Sequence, residues 1–378
     1  MVVTARPSYS RIKTALFAID RHPALELQLV VAASALLERY GSAVRYMEAD
    51  GFSIAARVFN VLEGEDLKAS AKTTGLGIME LSNVFDSLQP DVVVTVADRF
   101  ETMATAIAAS YMNIPLVHIQ GGEVTGNIDE KVRHAITKLS DRHLVASEDA
   151  RARVVRLGEV PATVVNTGCP SIDLAAEVKA SPGLDFDPFA RYGGVGPVFD
   201  LDAGYVVVMQ HPVTTEYEDA RRQVETLLKV VDNSGLNTLW FWPNVDAGSD
   251  GTSKGIRSFR ERRGDAAMHF FKNMEGRDFL RLLANSDCLI GNSSVGIREC
   301  SYLGIPVVNV GSRQNGRERG ANVRDVGFAQ DDLRAAIEAQ VKVGRYPTTE
   351  IYGDGKAGEA IAAQIASMPL TYAKRIAY

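Results

Sequence analysis

The chain has 378 residues, enough for two or three domains of ordinary size. It is 46% hydrophobic and 23% charged with a net charge of −6, so it has a globular composition and no basic excess for nucleic acid or an anionic membrane. Its apolar runs are far shorter than the roughly 18 residues of a membrane-spanning helix, and its N-terminus has no signal-peptide pattern. Three cysteines without CxxC spacing suit a reducing compartment, so we expect a cytoplasmic protein.

Short apolar runs alternate with helical stretches along the chain. The runs predicted to be buried strands are residues 29–32, 92–96, 116–119, 164–165, 205–209, 238–242, 288–290 and 307–310. Helical stretches of ten or more residues, such as 101–112 and 129–139, lie between most of them. This alternation predicts an α/β fold with parallel sheets covered by helices on both faces.

A repeated pattern indicates two similar halves. Tyr-Met-Asn-Ile-Pro-Leu-Val-His-Ile at 111–119 matches Tyr-Leu-Gly-Ile-Pro-Val-Val-Asn-Val at 302–310, and in both a helix end is followed by proline and a strand. The stretch richest in proline and glycine, 181–197, lies between the two copies and suits a linker. We expect a GT-B-like arrangement of two doubly wound, Rossmann-like domains facing a cleft. Their expected bounds are 1–185 and 186–365, with 366–378 packing back on the first domain.

Ligands of open parallel sheets bind beyond the carboxyl ends of the strands, so the loops that follow predicted strands are candidate sites. Asp98 and Arg99 follow the strand at 92–96. An acid at this position either caps the next helix or acts as a catalytic acid, and position alone leaves both open.

Further charged residues surround the next predicted strand and helix. Gln120 and Glu123 follow the strand at 116–119, and Asp129 and Arg133 lie in the helix after it. Asp129 and Arg133, four residues apart, could simply pair on the helix surface. Alternatively Asp98, Glu123 and Asp129 meet in one region, which is how proton transfer from carbon is usually arranged.

In the second half, small polar residues follow the predicted strand at 288–290 and open a helix predicted from Val295 that also contains Glu299. Ser293 and Ser294 could be ordinary N-caps of this helix. Alternatively, the free backbone N–H groups at its start could bind a phosphate. The carboxylate of Glu299 could accept hydrogen bonds from ribose hydroxyls.

Basic and polar side chains occupy other loops that follow predicted strands. Arg6 and His211 lie in the first loop of each half, and Asn244 and Arg313 lie in later loops of the second half. His211 is either a structural turn residue or a catalytic residue that binds phosphate, neutral or charged. Arg6, Arg99, His211 and Arg313 would together surround a diphosphate.

Several signatures of other enzyme classes are missing from the sequence. It has no GxGxxG after the first strand, no GxxxxGK[ST] and no HExxH, and its six His and three Cys lack metal-ligand spacing. Its GxSxG match at 251–255 does not directly follow a predicted strand, as a nucleophile elbow would. Redox, ATPase and serine hydrolase functions therefore lose their main support. We expect no cofactor and no metal.

Taken in chain order, these motifs resemble the hydrolysing UDP-N-acetylglucosamine 2-epimerases of sialic and related nonulosonic acid biosynthesis, members of a GT-B superfamily of 2-epimerases. Two of the matching segments are Gly-Gly-Glu-Val-Thr-Gly at 121–126 and Gly-Asn-Ser-Ser-Val-Gly-Ile-Arg-Glu at 291–299. The others are 97–100, 118–120, 128–138, 167–171, 210–215, 243–248, 311–318 and 351–355. They follow the family order over nearly the whole chain.

The resemblance implies a two-step reaction on a UDP-sugar. A base removes the C2 proton while UDP leaves C1, and water then adds at C1 while a proton returns to the other face of C2. Asp98 and Asp129 match the acid/base carboxylates of the family. The residues that match its nucleotide contacts are Arg6, Arg99, His211, Asn244, Ser293, Ser294, Glu299 and Arg313. The expected partners are the UDP-sugar, UDP and further copies of the chain in a homodimer or homotetramer.

Two departures from the family pattern bear on the substrate and on the acid/base roles. Gln120 stands where the family usually has a glutamate, and glutamine cannot transfer a proton at neutral pH. Either Asp98, Glu123 or Asp129 takes that role, or the substrate differs, as with UDP-2,4-diacetamido-2,4,6-trideoxyglucose on the legionaminic acid route. The segment 6–11, Arg-Pro-Ser-Tyr-Ser-Arg, also departs from the sialic-acid branch. Three further functions stay open on the sequence: a non-hydrolysing epimerase, a GT-B glycosyltransferase and a non-catalytic nucleotide-sugar-binding regulator.

Overall fold

The computed structural model describes residues 1–38, 41–62, 67–97, 99–124, 128–243, 249–371 and 373–377. It divides into unit 1, Met1–Asp173 with Tyr352–Tyr378, and unit 2, Leu174–Ile351. The boundary expected after residue 185 falls inside unit 2, because apolar side chains of the preceding segment, such as Ala175 and Val178, pack into the core of that unit. The boundary expected after residue 365 falls inside unit 1.

Thirteen strands and fifteen helices lie in the described parts of the chain. The strands are β1 (Val2–Val3), β2 (Leu29–Ala32), β3 (Ile54–Val58), β4 (Val93–Val96), β5 (Leu116–Ile119), β6 (Arg142–Val145), β7 (Val164–Asn166), β8 (Val206–Met209), β9 (Thr238–Phe241), β10 (Met268–Phe271), β11 (Cys288–Gly291), β12 (Val307–Val310) and β13 (Val323–Val326). The helices are α1 (Arg6–Arg21), α2 (Ala43–Ala49), α3 (Leu67–Leu88), α4 (Phe100–Tyr111), α5 (Ile128–Leu139), α6 (Glu148–Arg156), α7 (Pro170–Ala180), α8 (Pro188–Tyr192), α9 (Ala220–Ser234), α10 (Ser249–Arg262), α11 (Gly276–Ala284), α12 (Ser294–Ile297), α13 (Glu299–Leu303), α14 (Gln330–Val343) and α15 (Ala357–Ser367).

All named strands pair in parallel, as the sequence predicts. Unit 2 has one six-stranded sheet in the order β10-β9-β8-β11-β12-β13. Unit 1 has β1-β2-β3 and β4-β5-β6-β7, and β1 lies beside β4. In both units the chain winds outward from a central strand in one direction and then in the other, which is the doubly wound order. The prediction of an α/β fold with parallel sheets is confirmed.

Each sheet is buried on both faces, and β8 shows why the strands read as continuous apolar runs. Val206 and Val208 pack into one core with α9, while Val207 packs into the other core with β9 and α11. Because successive side chains of a strand point to opposite faces, both faces must be apolar. Within the described ranges, no helix is long and apolar enough to cross a membrane.

The order of the strands reverses beside β1 and β4 in unit 1, and beside β8 and β11 in unit 2. Ligands of doubly wound sheets bind at the carboxyl ends of such strands. In unit 1, three residues other than glycine have a positive φ immediately after a strand: Ala33 (52°) after β2, Ala97 (61°) after β4 and Gln120 (64°) after β5. Strained backbone of this kind collects at functional sites.

A buried ionic cluster joins the C-terminal segment to the rest of unit 1. Glu159 accepts from Lys138 Nζ at 2.6 Å and from Lys374 Nζ at 2.7 Å, and its Oε2 lies 3.0 Å from His143 Nε2. Lys374 also donates to the carbonyls of Thr137 and Ser140 at the end of α5. Burial acts to raise the pKa of Glu159, but these hydrogen bonds outweigh it and lower the pKa to about 2.

We predict that Glu159→Gln lowers the free energy of unfolding at pH 7 by about 2 kcal/mol, because it removes the buried carboxylate that both lysines and the buried His143 ring contact. The folded pKa lies below the unfolded value of about 4.3. The stabilisation by Glu159 is therefore complete above the unfolded pKa and is lost as the pH falls through the folded one. Urea unfolding of both proteins between pH 7 and pH 2.5 should show their difference shrinking below pH 4. A constant difference over this range would contradict the assignment.

Candidate active site

In unit 1, Arg6 and Arg99 both lie just beyond the carboxyl ends of central strands. Arg6 is the first residue of α1, and its guanidinium lies 4.8 Å from the centroid of the Tyr46 ring. Arg99 precedes α4 at its N-terminus. Asp98, the predicted catalytic acid beside it, and Asn244 in unit 2 lie outside the described residues.

Sequence reasoning missed the partner that holds Arg99. Glu101 is only 2% exposed, and both of its oxygens accept from Arg99, at 3.2 and 3.4 Å. Ser34, just beyond β2, is 3.5 Å from the same carboxylate. The sequence feature that could have identified this partner is an acidic residue two positions after the arginine, in the first turn of a predicted helix. This pair fixes the direction of the Arg99 side chain.

Gln120 is held on both sides by neighbouring side chains. It is 1% exposed; its Oε1 accepts from Arg11 Nη1 at 3.1 Å, and its Nε2 lies 3.0 Å from Cys169 Sγ. The two departures from the family pattern, the segment 6–11 and Gln120, are therefore in direct contact. A carboxylate here could pair with Arg11 but could not donate to the cysteine sulfur.

His118, on β5, supports the strand end that precedes Asp98. Its ring is fully buried, with Nε2 2.9 Å from the carbonyl oxygen of Ala97 and Nδ1 3.2 Å from Thr137 Oγ1. This link between β4, β5 and α5 holds the left-handed backbone of Ala97 in place. In the sequence, His118 stands out only as a member of a longer motif, with no role of its own.

Arg133 lies inside the protein, where it contacts the backbone of Glu123. It is 1% exposed, donates to the backbone carbonyl of Glu123 at 2.7 Å and lies 3.3 Å from Glu130 Oε2. Glu123 is buried and Asp129, in the first turn of α5, is half-buried. Arg133 therefore holds the Glu123 segment against the helix that carries Asp129.

In unit 2, Asn292 joins three loops at the carboxyl edge of the sheet. Its Oδ1 accepts from the backbone N–H of His211, and its Nδ2 donates to the carbonyl of the same residue, both at 2.8 Å. Its own carbonyl accepts from Gln314 Nε2 at 2.8 Å and from Arg313 Nη1 at 3.3 Å. This clamp brings together the predicted residues His211, Ser293 and Arg313. Sequence reasoning missed both Asn292 and Gln314 as site residues.

His211 is neutral at ordinary pH. It is 4% exposed, and burial together with the positive charge of Arg313 lowers its pKa to about 3. The structure therefore favours the neutral imidazole over the charged one, and the positive charge of this loop cluster comes from Arg313. Arg6 and Arg99 belong to unit 1, and the surrounding of a diphosphate by all four residues stays a prediction.

The helix predicted from Val295 is two short helices, so the expectation of one helix containing Glu299 is wrong. Ser293 is the N-cap of α12, and its Oγ accepts from Val295 N–H at 3.4 Å. Arg298, with ψ at −75°, interrupts the helix, and its side chain donates to Ser294 Oγ at 2.9 Å. Glu299 then begins α13.

Glu299 keeps an open acceptor inside unit 2. The residue is 7% exposed, and its Oε2 accepts no hydrogen bond in the part of the chain that the structure describes. The Nε of Arg298 lies 3.8 Å from this oxygen. A buried carboxylate oxygen in this state is suited to accept from hydroxyl groups of a ligand.

The approach of β11 to β8 at this edge requires glycine. Gly291 has a φ of 128°, and a Cβ there would lie 2.1 Å from the carbonyl oxygen of Met209. The residue brings the segment of Asn292 and Ser293 next to the loop of His211. Among the described residues, no group of three or more His, Cys, Asp and Glu side chains is arranged to hold a metal ion.

Comparison with known proteins gives consistent matches over nearly the whole chain. The family model described as UDP-N-acetylglucosamine 2-epimerase matches residues 17–366. The hydrolyzing UDP-N,N'-diacetylbacillosamine 2-epimerase of Legionella pneumophila is 34% identical, over 98% of this chain and 95% of that protein. The UDP-N-acetylglucosamine 2-epimerase of Neisseria meningitidis is 29% identical over the same shares.

A solved structure matches at the level of the fold. The UDP-GlcNAc 2-epimerase of Methanocaldococcus jannaschii, in complex with UDP-GlcNAc and UDP, gives a TM-score of 0.78 at 16% identity, covering 96% of this chain and 98% of that one. At this identity the likeness concerns the fold alone. It confirms the prediction of a GT-B-like fold.

Proposed function

The chain belongs to the UDP-N-acetylglucosamine 2-epimerase family, and from that membership we propose that it is a hydrolysing 2-epimerase. It converts a UDP-2-acetamido sugar to UDP and the free manno-type sugar, for nonulosonic acid biosynthesis. The observation that carries the proposal is the Asn292 clamp, which gathers a neutral imidazole, a guanidinium and the serines at the start of α12 at one strand switch point. That set of donors suits a diphosphate.

Two substrates have specific support. The first is UDP-N,N'-diacetylbacillosamine, the 2,4-diacetamido-trideoxy sugar. It is supported by the Legionella relative, whose name gives both this sugar and the hydrolysing reaction. The neutral Gln120 beside Arg11 also suits a substrate that differs from the common one of the family. UDP-N-acetylglucosamine is the second candidate, supported by the Neisseria relative.

We assign the nucleotide to residues of unit 2. Arg313 and the N–H groups at Ser293 and Ser294 stabilise the charge that develops on the departing diphosphate, and neutral His211 donates a hydrogen bond to it. The open oxygen of Glu299 accepts from ribose hydroxyls. Asn292 and Gln314 act as positioning residues, since their contacts hold the loops of His211 and Arg313.

We assign proton transfer to carboxylates of unit 1. The C2 proton is weakly acidic, so its removal requires a carboxylate close to it. Asp98 and Asp129 fill the two acid/base roles, Glu123 is the further candidate, and Arg99 is a positively charged contact fixed by Glu101. In the first step the C2–H and C1–O bonds break and UDP leaves. In the second, water supplies the C1 hydroxyl and a proton returns to the opposite face of C2.

The proposal is tested by incubating the protein with each of the two UDP-sugars, without any acceptor, and following the products by mass spectrometry. We expect UDP and a free 2-acetamido sugar in equal amounts, faster from the diacetamido substrate. A UDP-linked manno product would indicate the non-hydrolysing reaction. Release of UDP only after an acceptor is added would indicate a glycosyltransferase, and UDP binding without turnover would indicate a regulator.

We predict that Ser294→Ala weakens UDP binding about tenfold, because its hydroxyl lies at the start of α12, where we place the diphosphate. The variant also loses the acceptor of the buried Arg298 side chain, so some loss of stability accompanies the loss of affinity. Ser293→Ala is the matched control for stability, since Ser293 supplies the N-cap, and loss of a cap costs about 1 kcal/mol. Calorimetric titration with UDP and thermal unfolding of both variants separate the two effects. Unchanged UDP affinity in Ser294→Ala would contradict this placement of the diphosphate.

We also predict that turnover needs no metal ion. The counter-charge for the diphosphate comes from Arg313 and from helix N–H groups, so a chelator such as EDTA should leave the initial rate unchanged. An initial rate that falls in EDTA and returns on addition of magnesium would show that a cation completes the site.

A further inference from the structure

A cavity of about 310 Å³ lies in unit 2 at the amino end of β10, the edge strand of the sheet. Its floor is apolar and includes Met268 and Phe270, and Arg257 and Arg260 of α10 contribute to its rim. The nucleotide residues assigned above follow the carboxyl ends of β8 and β11. The cavity is therefore at the opposite end of the strands from that site.

The wall opposite α10 is the glycine-rich segment 193–197, which lies against β10. Val195 exchanges two backbone hydrogen bonds with Phe270, at 3.0 and 2.9 Å. Gly194 and Gly196 have φ of 106° and 133°, and a Cβ on Gly196 would lie 2.2 Å from the carbonyl oxygen of Met268. The glycine-rich stretch that the sequence suggested as a linker is thus required for the close approach that forms this wall.

The cavity is lined by Arg257, Arg260 and Arg263 and by one carboxylate, Glu261, so positive charge is in excess. The guanidinium of Arg257 lies 5.9 Å from the Trp242 ring centroid, and that of Arg260 lies 5.5 Å from that of Phe270. Neither pairs with a carboxylate among the described residues, whereas Arg263, also on the rim, pairs with Asp232 at 3.2 Å. Stacking on a ring orients a guanidinium while leaving its N–H edge available for an anion.

The helix dipole explains only part of the placement of arginines on α10. Basic residues in the last turn of a helix are favourable, which explains Arg260 and Arg262 at the end of α10. It does not explain why Arg257, one turn earlier, and Arg260 both line the cavity while Arg262 does not. Residues three apart share a helix face, so the pair forms one cationic side of the cavity.

We propose that this cavity is a second ligand site, which binds a monosaccharide-sized organic anion through Arg257 and Arg260. The volume is at the lower end of the roughly 300–1,000 Å³ of ligand sites, which favours a single sugar-sized ring over a whole nucleotide sugar. Guanidinium groups bind carboxylate and phosphate in the same bidentate way. The anionic group is therefore a carboxylate or a phosphate.

The test uses the full chain saturated with UDP, so that the nucleotide site is occupied. Glucose 6-phosphate and glucuronate, which differ in their anionic group, are titrated in separate calorimetric experiments. We expect at least one to bind, and Arg257→Gln and Arg260→Gln each to weaken it about tenfold or more, the loss typical of a charge-assisted hydrogen bond. The probe that binds identifies the anionic group.

Arg262→Gln is the matched control, because it removes the same charge from the same helix outside the cavity. It should change the affinity less than about twofold. Binding of neither probe, or an equal loss in Arg262→Gln, would overturn the proposal. Thermal unfolding checks that each variant is folded, and Arg257 is exposed, so its replacement leaves the core of unit 2 intact.

Discussion

Asp98→Asn should lower turnover by about 10²–10⁴-fold while leaving UDP affinity nearly unchanged. Asparagine preserves the shape of the side chain and an acceptor oxygen, but it cannot take up or release a proton at neutral pH. The flanking residues support a functional position: Ala97 has a left-handed backbone at the end of β4, and Arg99 is fixed by buried Glu101. Steady-state rates with the preferred UDP-sugar, together with calorimetric titration of UDP, measure both quantities.

Gln120→Glu is the contrasting variant for this experiment. It adds a carboxylate beside Arg11, which can pair with it, and removes the donor to Cys169. We expect this variant to retain turnover or to change which sugar is preferred. Near-normal turnover of Asp98→Asn would mean that Asp98 does not transfer the proton. Proton transfer would then have to be sought at Glu123 or Asp129, by measuring solvent deuterium at C2 with variants of each.

Gly291→Ala should lower the free energy of unfolding by about 3 kcal/mol or more. A Cβ at this position would lie 2.1 Å from the carbonyl oxygen of Met209, and the φ of 128° is one that side chains rarely adopt. Backbone strain of this kind costs about 1–3 kcal/mol, and overpacking costs a similar amount again. Because β8 and β11 would have to separate, UDP affinity should fall as well.

Gly235→Ala separates the cost of the left-handed backbone from the cost of overpacking. Gly235 ends α9 with a φ of 68°, and a Cβ there would meet nothing within 4 Å, so the substitution costs only the left-handed conformation, about 1 kcal/mol. Urea unfolding of both variants gives the comparison. If Gly291→Ala were no more destabilising than Gly235→Ala, the close approach of β8 and β11 would not be a constraint in solution.

Much of the fold could be predicted from the sequence, because both faces of each sheet are covered and the central strands are continuous apolar runs. The predicted runs 29–32, 116–119 and 307–310 coincide with β2, β5 and β12. β3 and β13 were missed because their residues are mostly exposed or half-buried and include charges. β6 and β10 were missed because each carries a buried histidine, whose polarity interrupts the apolar signal.

The location of the candidate site was also predictable, because strand ends in parallel sheets identify the loops that carry ligands. The contacts that shape it were not. Asn292 is 81 residues from His211 in sequence, and a side chain that clamps a distant backbone leaves no local pattern. The contact of Arg11 with Gln120 and the lowered pKa of His211 likewise depend on packing between segments.

The central claim is that the sugar is released by elimination at C1 and C2 followed by addition of water. The most direct measurement is the reaction in water enriched in both heavy oxygen and deuterium, with the free sugar analysed before its C1 hydroxyl exchanges. We expect heavy oxygen at C1 and one deuterium at C2 of a manno-configured product. A free sugar labelled at C1 with its original hydrogen at C2 would show simple hydrolysis and would rule out elimination.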